Sequence, residues 1–527
     1  MNKIFILLLV FVAFGCKKEL KIKEVKPFPA AISIIQVEGK SVFIDSILLE
    51  PFRSKVLKEF YRATSYKSVW QSKENRKFIL KSFLNSDEEG LNPERYNVNK
   101  LQNFEEKYAV LKDKERVSYD ILLTHSFQKY ISHLSNGQIH HKYLYKNWDL
   151  KENNVDVNET IASMLKSDSL PFKIEQLKPN HIVYKSLKKA LQIINSFPND
   201  DFTTIEIANK IVLNDTNPSL IAIKKRLIYW KDMKPKDSLS AIYDSETNEA
   251  MKKFQIRHGL SADGVIGKGT VDALNFSKRK RKEQILTNLE RWKWFPREMG
   301  EKYVIVNIPD YKLSLVKEND TLRTHKVVVG RDKRPTPVLS SKINQIILNP
   351  TWTVPPTILK EDMIPAISRN RNYLAQTNIK IYDSSGNLVS ANDWKPSKAK
   401  KYRYVQSPGK SNSLGMVKIN FPNRFSVYLH DTNHRDFFVK QKRSLSSGCV
   451  RVENPLKLAE TLLNDTVNWN AEKITKILQS EKTKYIKIND DVNVHILYWT
   501  AWSEGNTLIF RDDIYNLDAD LYQKLGK

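Results

Sequence analysis

The 527-residue sequence has only two cysteines, Cys16 and Cys449, which excludes a disulfide framework of the kind that staples small secreted domains. Glycine and proline are scarce, at 16 and 21 residues, which excludes collagen-like and low-complexity architectures. No apolar run reaches the roughly 20 residues that a bilayer-spanning helix needs. Acidic residues are outnumbered: 59 Asp and Glu stand against 86 Lys and Arg, a formal charge of +27. Core-forming residues are plentiful. Hydrophobic residues make up 41% and aromatics 10%, including 10 Trp, so a sizeable core can form and wholesale disorder is excluded. At about 150 residues per domain the length predicts about three domains.

The first apolar stretch, Ile4 to Ala13, follows Lys3 and is followed by Gly15 and Cys16. It has the length of a signal-peptide hydrophobic region ending at a small residue. The arrangement resembles a bacterial lipoprotein signal, with Phe14 where a smaller residue is usual, and implies lipidation at Cys16. The expectation is an exported, periplasmic protein tethered to the membrane by lipid, with a signal at 1–16 and a Lys-rich tether at 17–44. The basic charge suits acidic envelope surfaces. No nucleic-acid recognition motif is present, and nucleic acid is not an expected partner.

Residues 45–210 read as a helical scaffold domain. In Tyr119 to Ile131 the apolar residues recur at three and four, and Gly137 is placed to end that helix. A compact unit occupies 218–276. Leu220, Ile223, Leu227 and Trp230 have helical spacing, Thr247 to Gln255 begins a second helix, and Thr270 to Leu274 a third. Its Phe254-Gln255, His258-Gly259-Leu260, Asp263-Gly264-Val265-Ile266-Gly267 and Ala273-Leu274 resemble the small three-helix peptidoglycan-binding module. Residues 277–300 read as a linker helix whose basic start, Ser277 to Lys282, is a solvated linker or helix start.

From about 300 the apolar period becomes two. Tyr303–Ile308, Leu313–Val316, His325–Val329, Asn344–Asn349 and Arg424–His430 read as strands. The predicted catalytic domain spans 301–480, mainly β, with an insertion at 357–405 long enough to be a lid or capping subdomain. Residues 481–527 are expected to complete the scaffold. The fold class is thus multidomain α+β.

One stretch carries chemistry. His430 ends an apolar run, and Cys449 follows within Ser446-Ser447-Gly448-Cys449-Val450-Arg451. A cysteine attacks as its thiolate, and a free thiol has a pKa of about 8.5. An imidazole can take that proton and return it to a leaving amine. Gly448 would let a backbone N–H approach an oxyanion, and Arg451 would add a fixed positive charge. His430 and His434 have the i, i+4 spacing of a helical zinc site, but the strand pattern and the missing HExxH glutamate argue against a metal.

His430-Asp431-Thr432 with Ser446-Ser447-Gly448-Cys449-Val450-Arg451 resembles the signature of L,D-transpeptidases with a YkuD-type catalytic domain. Gly330-Arg331, Arg334-Pro335-Thr336-Pro337, Asn349 to Pro355 and Leu414 to Lys418 are similar to family segments in the same order. Phe60-Tyr61, Trp70, Gly90 to Pro93, Leu289 to Trp292 and the tail from Tyr498 to Asp513 resemble the long, YcbB-like subfamily. The resemblance implies Cys449 as nucleophile, His430 as general base and acid, Gly448 in the oxyanion hole, Asp431 orienting the imidazole and Arg451 as electrostatic support. Trp352, Asn349 and Tyr404 are candidate substrate contacts. The implied substrates are peptidoglycan stem peptides and glycan, with other cell-wall enzymes as possible docking partners. The implied reaction is 3→3 cross-linking from a tetrapeptide stem through a thioester. No cofactor is implied, because the new amide takes its energy from the one broken. Two alternatives stay open: an L,D-carboxypeptidase or protein-to-wall attachment through the same acyl-enzyme, and a non-catalytic peptidoglycan-binding lipoprotein.

Overall fold

A computed structural model describes residues 40–166, 170–465 and 467–526. The export signal, Cys16 and most of the tether lie outside the described residues. Among the described residues no helix is long and apolar enough to cross a membrane.

The helical N-terminal part has its own core, running from Ile44 to Ile174 around the helix Asp113–Asn136. That helix starts where the Glu115 carboxylate accepts from the Lys112 N–H at 2.9 Å, half of a capping box. It ends at Gly137, whose φ of 78° suits glycine. A Cβ there would lie 2.6 Å from both Glu290 Oε1 and Trp294 Nε1, so the same glycine lets the next domain's helix approach. Inside, Asp120 accepts from Tyr61 Oη at 2.7 Å and from the Val69 and Trp70 N–H groups at 2.9 Å. Burial outweighs those bonds and pushes its pKa up to about 6.

The three expected helices of the small module are Ser219–Tyr229, Ser245–Arg257 and Lys268–Leu274. Gln255 ties the intervening turn, accepting from Gly264 N–H at 2.9 Å and donating to Val265 C=O at 3.0 Å. Ser277 caps the linker helix Lys278–Trp294, accepting from the Lys280 N–H at 3.3 Å, so the basic run is that helix's first turn. From Gln284 onward every residue of the linker helix is buried. Glu290 accepts from the Ile139 N–H at 2.9 Å, Lys293 donates to the Glu89 C=O at 2.8 Å, and Arg291 pairs with Asp518. The linker is therefore an axle gripped by the scaffold on one side and the C-terminus on the other.

One curled sheet forms the catalytic domain. Its order is Trp148–Asp149, Val338–Lys342, Val492–Leu497, Lys302–Asn307, Lys312–Lys317, Asp320–Gly330, Val450–Val452, Leu429–His430, Val417–Asn420, Gln345–Leu348 and Lys484–Lys487, with Ser444–Ser446 also on Asp320–Gly330. Two readings of the sequence change here. Residues 481–527 complete this sheet before anything else, because Val492–Leu497 lies inside it and Lys484–Lys487 extends it. The helix Ile182–Ser196 packs into the core that the linker helix shares with this sheet. Arg424–Tyr428 is not a strand. The Asn423 side chain accepts from Phe425 and Val427 N–H groups at 3.1 and 3.0 Å, and Ser426 has a φ of 55°, so a side-chain-held turn displaces the ladder.

The insertion folds as a separate small unit. Its four strands pair in the order Trp352–Thr353, Arg403–Gln406, Ile379–Tyr382, Leu388–Val389. Its core includes Met363, Ile367, Ile381, Trp394 and Tyr404.

Eight histidines, His125, His133, His141, His181, His258, His325, His430 and His495, have pKa values lowered first by burial. A lowered histidine binds fewer protons folded than unfolded, so its contribution is present above the unfolded pKa near 6.5 and is lost as pH falls. Asp120, Asp232 and Asp518 are raised and act in the opposite sense, but they are fewer. The expected result is a falling denaturation midpoint between pH 6.5 and 4, read by circular dichroism. A flat profile across that window would contradict the burial of these imidazoles.

Candidate active site

The strand Leu429–His430 lies parallel to Val450–Val452, with His430 in register with Arg451. Cys449 precedes that second strand. His430 is 4% exposed, whereas Cys449 is partly exposed. Both line a cleft of about 700 Å³ between the sheet and the cap, with Gly448, Arg451, Trp352, Tyr428 and Arg334.

The turn that presents Cys449 is held from inside. Ser446 Oγ accepts from the Gly448 N–H at 3.1 Å and donates to the Cys449 C=O at 2.6 Å. Thr336 Oγ1 donates to the Gly448 C=O at 2.8 Å. Gly448 has a φ of 114°, a conformation that a side chain would strain. These bonds correct one expectation. The Gly448 N–H is already spent on Ser446 and is not free to hold an oxyanion. The Cys449 N–H has no intramolecular acceptor among the described residues.

Burial lowers the His430 pKa to about 3, with Arg451 and then Lys418 acting in the same direction. Only the Asp431 backbone carbonyl opposes them, and the ring Nδ1 has no partner of hydrogen-bond geometry. The Cys449 thiol is pushed up by burial, against the lowering effects of Tyr428, Lys418 and Arg451. Burial thus favours the neutral form of both the imidazole and the thiol that line the cleft.

The other expected residues divide. Trp352 is in the cleft, beside Tyr428. The Asp431 carboxylate is turned away from the imidazole, accepting from the Met416 N–H at 2.9 Å and pairing with Arg435 at 3.3 Å, so it holds a neighbouring turn. Asn349 and Tyr404 are not in the cleft. Asn349 is fully buried and donates to the Ile477 C=O at 2.8 Å. Tyr404 sits in the core of the cap, accepting from Trp394 Nε1 at 2.6 Å. The Asn349 amide nitrogen and the Tyr404 hydroxyl are bonded inside the protein, and Asn349 Oδ1 is buried without a partner.

Sequence reasoning missed Tyr428, Lys418 and Arg334. Tyr428 stands two residues before His430, directly before the strand Leu429–His430, and that nearness was the signal available. Arg334 carried no such signal, because its partners are remote. It donates to Glu361 at 2.9 Å, to Asp362 at 2.6 Å and to Ser447 Oγ at 3.0 Å. One guanidinium thereby links the cap's turn Leu359–Met363 to the residue before Gly448. Arg334→Gln is expected to raise hydrogen exchange several-fold at 357–377 while leaving the cap's own strands protected. Unchanged exchange there would mean that apolar contacts alone seat the cap.

A partly exposed thiol and a buried imidazole thus line one cleft under a separate cap. Comparisons with known proteins give the families that the segments of the chain match. Residues 301–477 match the YkuD family, the L,D-transpeptidase catalytic domain. Residues 216–274 match a family described as "Putative peptidoglycan binding domain", and 55–191 match a scaffold domain. The chain carries an L,D-transpeptidase catalytic domain behind a peptidoglycan-binding domain. A Haemophilus influenzae protein named "Putative L,D-transpeptidase" is 38% identical over 221 residues, 41% of this chain and 45% of that protein. The chain thus spans about half the length of the curated relative that it matches. Among solved structures, an L,D-transpeptidase from Stackebrandtia nassauensis aligns at 15% identity over 56% of this chain and 97% of its own, with a TM-score of 0.21. One from Xylanimonas cellulosilytica aligns at 14% identity over 55% and 99%, with a TM-score of 0.17. Scores of this size carry nothing about fold or chemistry.

Proposed function

We propose that the protein is a cysteine-dependent L,D-transpeptidase of the bacterial cell envelope, acting on peptidoglycan. The observation that carries the reading is the placement of Cys449 and His430 together at the floor of a capped cleft, within a segment matched by the L,D-transpeptidase catalytic domain. His430 accepts the thiol proton as Cys449 Sγ attacks the carbonyl of the third stem residue. The Cys449 N–H holds the developing oxyanion, and Arg451, whose Nε and Nη1 are unpartnered, adds positive charge nearby. The C–N bond to the terminal D-alanine breaks, the leaving amine takes the proton from His430, and a thioester remains. An acceptor side-chain amine then attacks the thioester, its proton passes through His430, and the thiol is released with a 3→3 cross-link formed. Water as acceptor would give a carboxypeptidase, and a protein amine would give wall attachment.

The peptidoglycan-binding module would hold the enzyme to its polymer, and lipid at Cys16 would hold it to a membrane. Incubation with disaccharide-tetrapeptide, followed by liquid chromatography and mass spectrometry, tests the reading. A cross-linked dimer with release of one D-alanine is the expected product. Tripeptide alone would favour hydrolysis, and unchanged substrate from folded protein would count against both.

A further inference from the structure

Three neighbouring strands place three basic side chains in one row. Lys418 on Val417–Asn420 is the register partner of His430, and His430 is the register partner of Arg451. Directly paired residues project from the same face of a sheet with Cβ atoms about 4.5–5.5 Å apart. The imidazole therefore has a cation on each side. Among the described residues neither cation has a carboxylate within ion-pairing distance, although the chain forms such pairs widely elsewhere. Lys418 is only half-buried, and its Nζ sits 4.0 Å from the centroid of the Tyr428 ring. That ring in turn meets His430 edge-on at 5.5 Å and faces the cleft beside Cys449. An unpaired ammonium over an aromatic face polarises the ring and makes the phenol a better donor.

We infer that Lys418 is an electrostatic positioning residue for the Cys449 nucleophile, acting through Tyr428 and His430 from behind the cleft and not touching the substrate. Its charge has two consequences. It keeps His430 unprotonated, so the base is ready, and it favours negative charge on Cys449 Sγ once the proton has left. The groups around the thiol are Tyr428, which directly precedes the strand Leu429–His430, His430 itself, Arg451 from the strand that follows Cys449, and Lys418 from the third strand. Asp436, beyond Arg451, is the nearest acidic influence on that cation, and Ile347 on the next strand brings no charge. Lys418 does not line the cleft, which separates it from a substrate-binding lysine. The inference deepens the reading of Cys449 as a nucleophile and rests on it.

The test is the pH dependence of Cys449 alkylation by iodoacetamide, followed by intact mass on the purified protein, with Cys449→Ser as the blank. Removing one nearby positive charge raises a thiol pKa by about one unit. The higher-pKa thiolate is intrinsically more nucleophilic, which offsets part of the loss. Lys418→Met is expected to shift the alkylation midpoint upward and to slow alkylation at pH 7.5 about three- to tenfold. Lys418→Arg, which keeps the charge and the stem, is expected to stay within about twofold of the parent by the same electrostatic argument. Circular dichroism checks that both variants fold. An unchanged midpoint in Lys418→Met overturns the inference. So does Lys418→Arg behaving like Lys418→Met, since that marks a packing role. Normal alkylation without any muropeptide product would sink the transpeptidase reading instead, and leaves this one standing on its own measurement.

Discussion

Cys449→Ala is expected to abolish acyl transfer, by more than about 10⁴-fold, because removing the nucleophile of a concerted unit removes nearly all of its contribution. The same variant should keep its fold. Cys449 is partly exposed at a cleft floor, and the turn around it is held by Ser446 and Thr336, whose bonds run to backbone groups that alanine retains. Deleting one sulfur there should cost well under the ~2–5 kcal/mol of a large core truncation. The measurement is intact mass after incubation with a carbapenem. The parent should gain the mass of one drug molecule, and Cys449→Ala none. An adduct that persists in the variant would place the nucleophile elsewhere. A parent that is folded, yet takes no drug, would shift weight to the anchoring alternative.

Asp518→Ala is expected to be the most destabilising single change outside the apolar core. Arg291 is fully buried in the last turn of the linker helix, and Asp518 is its carboxylate partner. Its Nε and Nη2 already lack partners. Asp518 also accepts from Thr500 Oγ1 at 2.7 Å, and Thr500 in turn bonds Asn288 of the linker. Removing one partner of a buried pair leaves an uncompensated charge and costs about 3–5 kcal/mol. The midpoint in denaturant, followed by tryptophan fluorescence, should fall accordingly. Arg291→Met with Asp518→Leu should recover most of the loss, since an apolar pair has no charge to strand. A drop for Asp518→Ala of less than about 1 kcal/mol, the range of an exposed pair, would mean that water reaches Arg291.

The helices were legible because their caps and spacing are local. Ser277 and Gly137 each sit where the capping rules put them. The cleft neighbours Cys449 and His430 were singled out because their segment carries a compact signature. Long-range placement was not legible. The periodicity of Val492–Leu497 announces a strand but not its neighbours, and nothing in Asn349 distinguishes a cleft residue from one bonded to the Ile477 carbonyl. Gly448 was singled out correctly as a place needing glycine, but its N–H was misassigned, because the competing acceptor is a serine hydroxyl that only coordinates reveal.

The position of Val492–Leu497 has a consequence for synthesis. This strand is inserted between Val338–Lys342 and Lys302–Asn307, antiparallel to one and parallel to the other. A growing chain finishes both neighbours, and the whole matched catalytic segment, before the strand that joins them exists. At 5–20 residues per second the gap from 342 to 497 lasts roughly ten to thirty seconds. For that time two apolar strand edges stand open, a hazard for pairing with other chains, and the sheet that carries Cys449 cannot close until residue 497 has been made.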